Sequence, residues 1–175
     1  MRNDIIYVDR ERGLRVREAD LSKVEDLKIL ARAIKSDFLA GRETPTAVND
    51  PFYSKFWSYY LELGWDMFCY HHNPTKTKFF IVLKDMRTVG FARVKEQKIL
   101  GNKVFYPTIY ANELEYPWSE ITNDIRVCIF NMLRRFGFDR VFIELPFGHE
   151  LNSKLPLRKM VVRFKELTEI WEMGS

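Results

Sequence analysis

Three side chains with the chemistry of metal ligands occur close together, at Cys69, His71 and His72. Thiolate sulfur and imidazole nitrogen are ligands that Zn²⁺ prefers in proteins. The segment WDMFCYHH (65–72) is predicted to be a strand, in which residues 69 and 71 share one face and residue 72 lies on the other. The three groups then cannot converge on one ion, so the sequence predicts no metal site.

A second chemical feature is a set of basic side chains near the end of the chain. Its members are Arg134, Arg135, Arg140, Lys154, Arg158, Lys159, Arg163 and Lys165. They could form an anion or nucleotide site, a nucleic-acid surface or a solvated face. The chain has 28 Lys and Arg against 24 Asp and Glu, a net charge of +4, which favours the solvated face. Nucleic-acid binding is kept as a weak alternative.

The length and composition of the chain predict the class of protein that carries these side chains. The 175 residues are 46% hydrophobic and 30% charged, which predicts one globular domain over 1–175. The N-terminal stretch is charged throughout, and the apolar run 79–83 is far too short to span a membrane. Two cysteines give no disulfide framework, so a reducing compartment is expected. These features predict a cytoplasmic protein without membrane contact.

The first half of the chain alternates between strand and helix patterns. Runs 5–8 and 14–18 predict a hairpin, and Ser22-x-x-Glu25 predicts a capping box that opens an amphipathic helix. A second helix is predicted over 51–64, because proline follows Asp50 at its start and Gly64 stands at its end.

The second half predicts a meander of strands, then a helix between two further strands. The strands are 78–85, 88–96 and 103–114, and Pro107 predicts an edge position or a bulge in the last of them. Helical periodicity over 121–136 ends at Gly137 and precedes a strand at 140–145. A short helix is predicted from Pro156, and a strand over 164–173 closes the chain. The whole predicts a mixed α/β domain.

This order of elements resembles the GNAT N-acetyltransferase superfamily over residues 12–173. The stretches that carry the resemblance are LRVREADLSKVEDLKILARAI (14–34), VLKDMRTVGFARV (82–94) and the spacing of Asn152 to Phe164. The resemblance implies a GNAT-like central mixed sheet, mostly antiparallel and flanked by helices. Its splayed parallel pair would consist of the strands at 104–113 and 140–145.

The resemblance also implies a phosphate-binding loop that opens the helix after the first of these strands. The matching segment consists of Pro117, Trp118, Ser119, Glu120, Ile121 and Thr122. Pro117 stands where the family has a cation, and Glu120 stands at a glycine position. A carboxylate near a diphosphate costs on the order of 1–4 kcal/mol. We therefore predict that Ser119 caps the helix, that Glu120 meets its positive end, and that the chain uses no cofactor and binds no acetyl-CoA in the micromolar range.

Two functions follow from the resemblance. The first is a degenerate GNAT-like protein, a pseudoenzyme that acts as a protein-binding or structural module, virion-associated if the chain comes from a phage. The alternative is a divergent acyl-CoA-dependent N-acyltransferase using acetyl-CoA. In that case Asn152, Arg158, Lys159 and Arg163 would hold the cofactor, Glu113 or Glu144 would act as general base, and Lys159 would replace the tyrosine that protonates the leaving thiolate.

The predicted helix over 51–64 has an unusually wide apolar face. Its aromatic and leucine side chains cover an arc of about 200°, wider than one domain's surface requires. We predict that Tyr53, Trp57 and Tyr60 contact a protein partner or a second copy of the chain. The alternative is that the preceding linker or the segment 65–70 covers this face.

Overall fold

A computed structural model describes residues 4–39, 64–65, 67–68, 70–72, 77–99, 102–111, 118–138, 140–146, 157–164 and 168–174. The described strands are β1 Ile5–Asp9, β2 Leu14–Glu18, β3 Thr77–Lys84, β4 Arg87–Ile99, β5 Asn102–Ala111, β6 Val141–Pro146, β7 Leu157–Phe164 and β8 Thr168–Met173. The helices are α1 Val24–Leu39, α2 with helical residues 64–65, 67–68 and 70–72, and α3 Trp118–Arg135.

All eight strands form one sheet in the order β1-β2-β3-β4-β5-β6-β8-β7. Every neighbouring pair is antiparallel except β5 and β6, which are parallel and are connected across α3. A parallel pair requires such a crossover, since a hairpin can join only antiparallel strands. The predicted mixed α/β fold class, with strands 104–113 and 140–145 parallel, is confirmed.

The sheet separates two apolar cores. On one face α3 buries Ile121, Ile125, Cys128, Ile129, Met132 and Leu133 against strand residues that include Val16, Val82, Ala92, Val94 and Ile109. On the other face α1 packs Leu30 and Ala33 against Phe79, Ile81 and Phe91. Successive strand residues alternate between the two faces, so in β3 Phe80 and Val82 belong to the first core while Phe79 and Ile81 belong to the second. The predicted helical periodicity of α3 is confirmed.

Two turns and the end of α3 contain residues with positive φ. Gly13 ends the β1–β2 turn at a φ of +66°, and the Asp9 carboxylate accepts the Arg12 amide within that turn at 3.0 Å. Asp85 and Met86 both have positive φ, as a two-residue hairpin requires. Gly137 ends α3 at a φ of +89°, as the sequence predicted.

The capping box predicted at Ser22 is not formed. Ser22 instead donates its amide and its hydroxyl to Oδ1 of Asp20, and the helix begins at Val24. The reciprocal bond is made by Asp26, whose Oδ2 accepts the Asp20 amide at 2.8 Å. Asp26 takes this place because Arg17 of β2 holds its carboxylate next to the helix start.

Two elements differ from the sequence prediction in type. The predicted strand 65–72 is helical at its described residues, and Gly64, which was predicted to end the preceding helix, is itself helical. Its rings explain why: Phe68 stacks on Trp65 at 5.7 Å and on His72 at 4.2 Å, spacings of three and four residues that only a helix brings together.

The helix predicted from Pro156 is the second error, because residues 157–164 form β7. The register with β8 places Lys159 opposite Glu172 and Arg163 opposite Glu169. Opposite charges directly across two strands favour pairing, and the β-branched Val161-Val162 step favours a strand further.

Pro107 is neither at a sheet edge nor in a bulge. It is buried in β5, opposite Val94, in an uninterrupted register with β4. The pairing of β5 with β6 is recorded two residues earlier, at Phe105 and Val141. Proline has no N–H to donate to a neighbouring strand. At Pro107 the strand β6 no longer pairs with β5, so no hydrogen bond between these strands is lost. No helix in the described part of the chain is long and apolar enough to cross a membrane.

Candidate functional site

The sheet opens between its two parallel strands. Phe105 of β5 pairs with Val141, the first residue of β6, and the described remainder of the two strands makes no further pair with each other. From Val141 onward β6 pairs with β8 over its whole length. The carboxyl ends of β5 and β6 therefore diverge and leave a gap in the middle of the sheet, which is called the β5–β6 gap below.

Helix α3 follows the carboxyl end of β5. It begins at Trp118, and helix geometry leaves the first four amides, those of residues 118–121, without an acceptor inside the helix. These amides carry the positive end of the helix dipole. Ser119 lies within the first turn and is not the N-cap, so the predicted Ser119 cap is wrong. Glu120 also lies in the first turn, while Pro117 is outside the described residues.

Polar side chains are buried in the next turns of α3. Thr122, Asn123 and Arg126 are all at least nine-tenths buried. Arg126 Nη1 donates to Asn123 Oδ1 at 3.2 Å. The Nδ2 donor of Asn123 has no acceptor among the described residues. A buried donor without an acceptor costs about 1–3 kcal/mol, so this amide is suited to a ligand oxygen.

Sequence reasoning missed Asn123 and Arg126. The signal that could have found them is the polar step Thr122-Asn123-x-x-Arg126, which widens the buried side of α3 beyond its apolar stripe. A polar residue buried beside an apolar stripe must be satisfied by a partner. Ile121 and Thr122, named in the sequence prediction as part of the loop, are buried in the helix itself.

The opposite face of the sheet carries charge beside the gap. Arg93 and Lys95 of β4 share the face of Phe91, which packs with α1. The register of β4 with β5 places Arg93 opposite Thr108 and Lys95 opposite Tyr106. Helix α2 reaches the same face, since the Lys95 ammonium lies 4.8 Å from the ring centroid of Trp65. Neither cation was singled out from the sequence.

The predicted catalytic and cofactor residues that the structure describes lie in β6 and β7. Glu144 lies in β6, three residues beyond the Val141 pair and so on the diverging part of the strand. Glu113 and Asn152 are outside the described residues. Arg158, Lys159 and Arg163 lie in β7, at the far edge of the sheet from β1, with β8 between them and β6. The role of Lys159 at the thiolate, inferred from its spacing to Asn152, stays a prediction.

The remaining candidates show no assembled site. His71 and His72 are exposed on α2, and no group of three potential metal ligands occurs in the described part of the chain. Cys128 is buried in the α3 core, where burial raises its thiol pKa to about 12, so it stays protonated and unreactive at neutral pH. Cys69, Tyr53, Trp57 and Tyr60 lie outside the described residues, and the partner surface stays a prediction.

Solved structures superpose on nearly the whole chain. RimL, a ribosomal L7/L12 alpha-N-protein acetyltransferase in complex with coenzyme A, matches with a TM-score of 0.57 at 12% identity over 97% of both chains. PaiA N-acetyltransferase from Thermoplasma acidophilum, in complex with coenzyme A, has a TM-score of 0.55 at 13% identity over 93% of this chain and 99% of that one. Apo FdhC, a nucleotide-linked sugar GNAT, has a TM-score of 0.58 at 12% identity over 93% and 86%. No protein-family model and no curated protein sequence matches the chain.

The prediction of no cofactor is contradicted by two of these structures, because RimL and PaiA hold coenzyme A on this same fold. The physical error was to treat loop glycines as the only source of amide donors. The first turn of α3 offers amides whatever its side chains are. The strand order, the diverging parallel pair and the superpositions show that this chain has the GNAT N-acetyltransferase fold, in a sequence that has diverged far from those of the solved structures.

Proposed function

We propose that this chain is an acyl-CoA-dependent N-acyltransferase that uses acetyl-CoA as its donor. The observation that carries the proposal is the β5–β6 gap, with α3 beginning after the carboxyl end of β5. Ligands of open α/β sheets bind in the crevice at the carboxyl ends of the strands. RimL and PaiA, which are described as N-acetyltransferases in complex with coenzyme A, support the same reading.

The residues of α3 fit the diphosphate of coenzyme A. The first-turn amides are donors at a positive helix end. Asn123 Nδ2, in the next turn, is a buried donor without an acceptor among the described residues. Glu120 opposes the fit, since it is an acidic residue of the first turn. When bound, acetyl-CoA supplies an activated acyl group as a thioester.

The chain's own contribution to the chemistry is to receive the amine proton. If acetyl-CoA is held there, its acyl carbon would be the atom to which the amine nitrogen bonds as the carbon–sulfur bond breaks, and the amine would have one proton to lose. Glu144 is our candidate base for the proton that the amine loses, because β6 carries it along the diverging side of the gap. The thiolate is protonated from solvent, and no role is assigned to Lys159.

The proposal is tested by replacing the buried amide donor. Asn123→Leu removes Nδ2 while keeping the size of the side chain, and we expect acetyl-CoA affinity measured by calorimetry to fall about tenfold, the loss of one good hydrogen bond. The matched control is Asn131→Leu, which changes a half-buried asparagine on the same helix. Equal affinities for the two variants would contradict the assignment.

A second test separates chemistry from binding. Glu144→Gln should lower kcat by about a hundredfold or more, the usual contribution of general base catalysis, while the affinity for acetyl-CoA stays unchanged. An unchanged kcat would remove Glu144 from the mechanism and leave Glu113 as the remaining predicted base.

A further inference from the structure

Strand β1 forms one edge of the described sheet, where it pairs with β2 and with no other described strand. One row of its backbone N–H and C=O groups therefore has no neighbouring strand in the described part of the chain. Such an edge pairs readily with another strand, and many sheets protect it with lysine or proline. Residues 5–8, Ile-Ile-Tyr-Val, include neither.

The exposed side chains of β1 and its flanking residues alternate along the chain. Ile6 is 38% exposed and Val8 is 46% exposed, and the exposed Asp4 and Arg10 lie two residues before and after them. Tyr7 points to the opposite face and packs against the α3 core. The exposed row therefore consists of an acid, two apolar residues and a base, each two residues apart.

This row is complementary to a second copy of itself in an antiparallel pairing. With Tyr7 on the two-fold axis, Ile6 of each copy lies opposite Val8 of the other. The same register places Asp4 opposite Arg10 at both ends of the pair. Apolar residues and opposite charges that lie directly across two strands stabilise their pairing, and a two-fold axis repeats each of these contacts.

The neighbouring registers are not complementary. Shifting one copy by a single residue places Asp4 opposite Asp9 in one direction and opposite Glu11 in the other. Like charges across two strands oppose pairing, and a one-residue shift also separates the apolar side chains onto different faces. The register of β1 with β2 shifts between Ile5 and Tyr7, which increases the twist of the edge. A strand of different twist fits this edge less well than a second β1.

The other face of the same edge forms a groove between β1 and α3. Its volume is about 750 Å³, and Tyr7, Asn131, Arg135 and the exposed Phe136 contribute to its lining. In the antiparallel pairing the Tyr7 ring of the second copy lies across the two-fold axis on this face. The pairing therefore covers apolar side chains on both faces of the edge.

We propose that two copies of this chain associate through β1, antiparallel and with Tyr7 on the two-fold axis, so that one sheet continues across both. A strand of five residues buries less area than a standard interface. We therefore expect a reversible dimer with a dissociation constant on the order of 10 μM. The inference is independent of the proposed activity.

Sedimentation velocity of the full chain, from about 1 to 500 μM, tests the association. Val8→Lys places a lysine on the open edge, and we expect it to raise the dissociation constant at least tenfold. Its melting temperature as a monomer should stay unchanged, because the side chain is exposed. The control is Val24→Lys, which changes a 60% exposed valine at the start of α1 and should associate as the wild type does.

A charge exchange between copies tests the register. Asp4→Arg and Arg10→Asp each place like charges opposite one another at both ends of the pair, so each variant alone should associate about tenfold more weakly. In an equimolar mixture each variant supplies the charge that the other lacks. The mixture should therefore form a heterodimer with about the affinity of the wild type.

Three outcomes would overturn the inference. A chain that stays monomeric up to about 500 μM does not pair through β1, and the open edge is then left to a strand of another protein. An association that Val8→Lys leaves unchanged belongs to another surface, such as the one predicted around Trp57. A mixture of the charge variants that associates no better than either variant alone shows that the register is wrong.

Discussion

At the scale of single residues, Arg17 and Asp26 form a buried ion pair between β2 and α1. Two hydrogen bonds of 2.7 and 3.0 Å join them, and both side chains are over nine-tenths buried. Arg17→Met leaves the Asp26 charge buried without its cation. We expect it to lower the free energy of unfolding by about 3–5 kcal/mol, measured by urea denaturation. The double variant Arg17→Met/Asp26→Leu should recover most of that loss.

The same pair predicts that the stability of the protein depends on pH. Burial by itself raises the pKa of Asp26, but the hydrogen bonds from Arg17 and from the Asp20 amide, with the charge of Arg17, hold it below its ordinary value of 3.8. The stabilisation is therefore complete above that ordinary pKa and is lost as pH falls through the lower folded pKa. Melting curves across acid pH should show this loss in the wild type and a smaller one in the double variant.

Glu120 carries the second residue-scale prediction. It belongs to the first turn of α3, where a negative charge would repel a diphosphate bound at the helix end. Glu120→Gln should therefore increase acetyl-CoA affinity about tenfold, while losing about 0.3–1 kcal/mol of helix stabilisation.

The control for Glu120 is Glu25→Gln, which removes an exposed carboxylate from the first turn of α1. This control should lower the free energy of unfolding by a similar amount and leave the affinity for acetyl-CoA unchanged. A Glu120→Gln protein that binds acetyl-CoA no better than the wild type would show that this carboxylate lies away from the ligand.

At the scale of elements, Gly137 determines where α3 ends. Its φ is +89°, and the amides of Gly137 and Phe138 donate to the carbonyls of Arg134 and Leu133 at 3.0 Å. A Cβ there meets no atom within 4 Å, so the cost of Gly137→Ala is backbone strain alone. We expect a loss of about 1–2 kcal/mol, measured by thermal unfolding.

Gly64→Ala is the matched substitution, because Gly64 is helical in α2 and its added Cβ also meets open space. It should be neutral or stabilise by up to about 1 kcal/mol. If both alanine variants lose the same amount of stability, the positive φ of Gly137 is not the cause of the loss.

The elements show what sequence could predict. Helix α3 was found because its apolar residues recur at helical spacing and a glycine ends it. Helix α2 was missed because WDMFCYHH is aromatic at nearly every position, and its helical identity comes from contacts of Tyr70 with Asp20 and Phe79, distant in sequence. β7 was missed because its pairing with β8 outweighs the helix-start signal of Pro156. The polar residues of α3 were missed because their burial depends on how the helix packs, which residue type alone does not show.

At the scale of the whole molecule, the strand–helix–strand unit of β5, α3 and β6 determines the function that can be proposed. It makes the one parallel contact in the described sheet and opens the gap beyond it. The sequence predicted this topology from element order. It could not predict cofactor use, because the amides at the start of α3 belong to the backbone and leave no trace in residue type.

Calorimetric titration of the full chain with acetyl-CoA, and with acetyl-pantetheine, which lacks the diphosphate, tests the central claim most directly. We predict saturable binding of acetyl-CoA in the micromolar range and weaker binding of acetyl-pantetheine by about tenfold or more, since the amides of α3 and Asn123 would have no phosphate to bind. Absence of saturable acetyl-CoA binding up to about 1 mM, or equal affinity for the two ligands, would contradict the account.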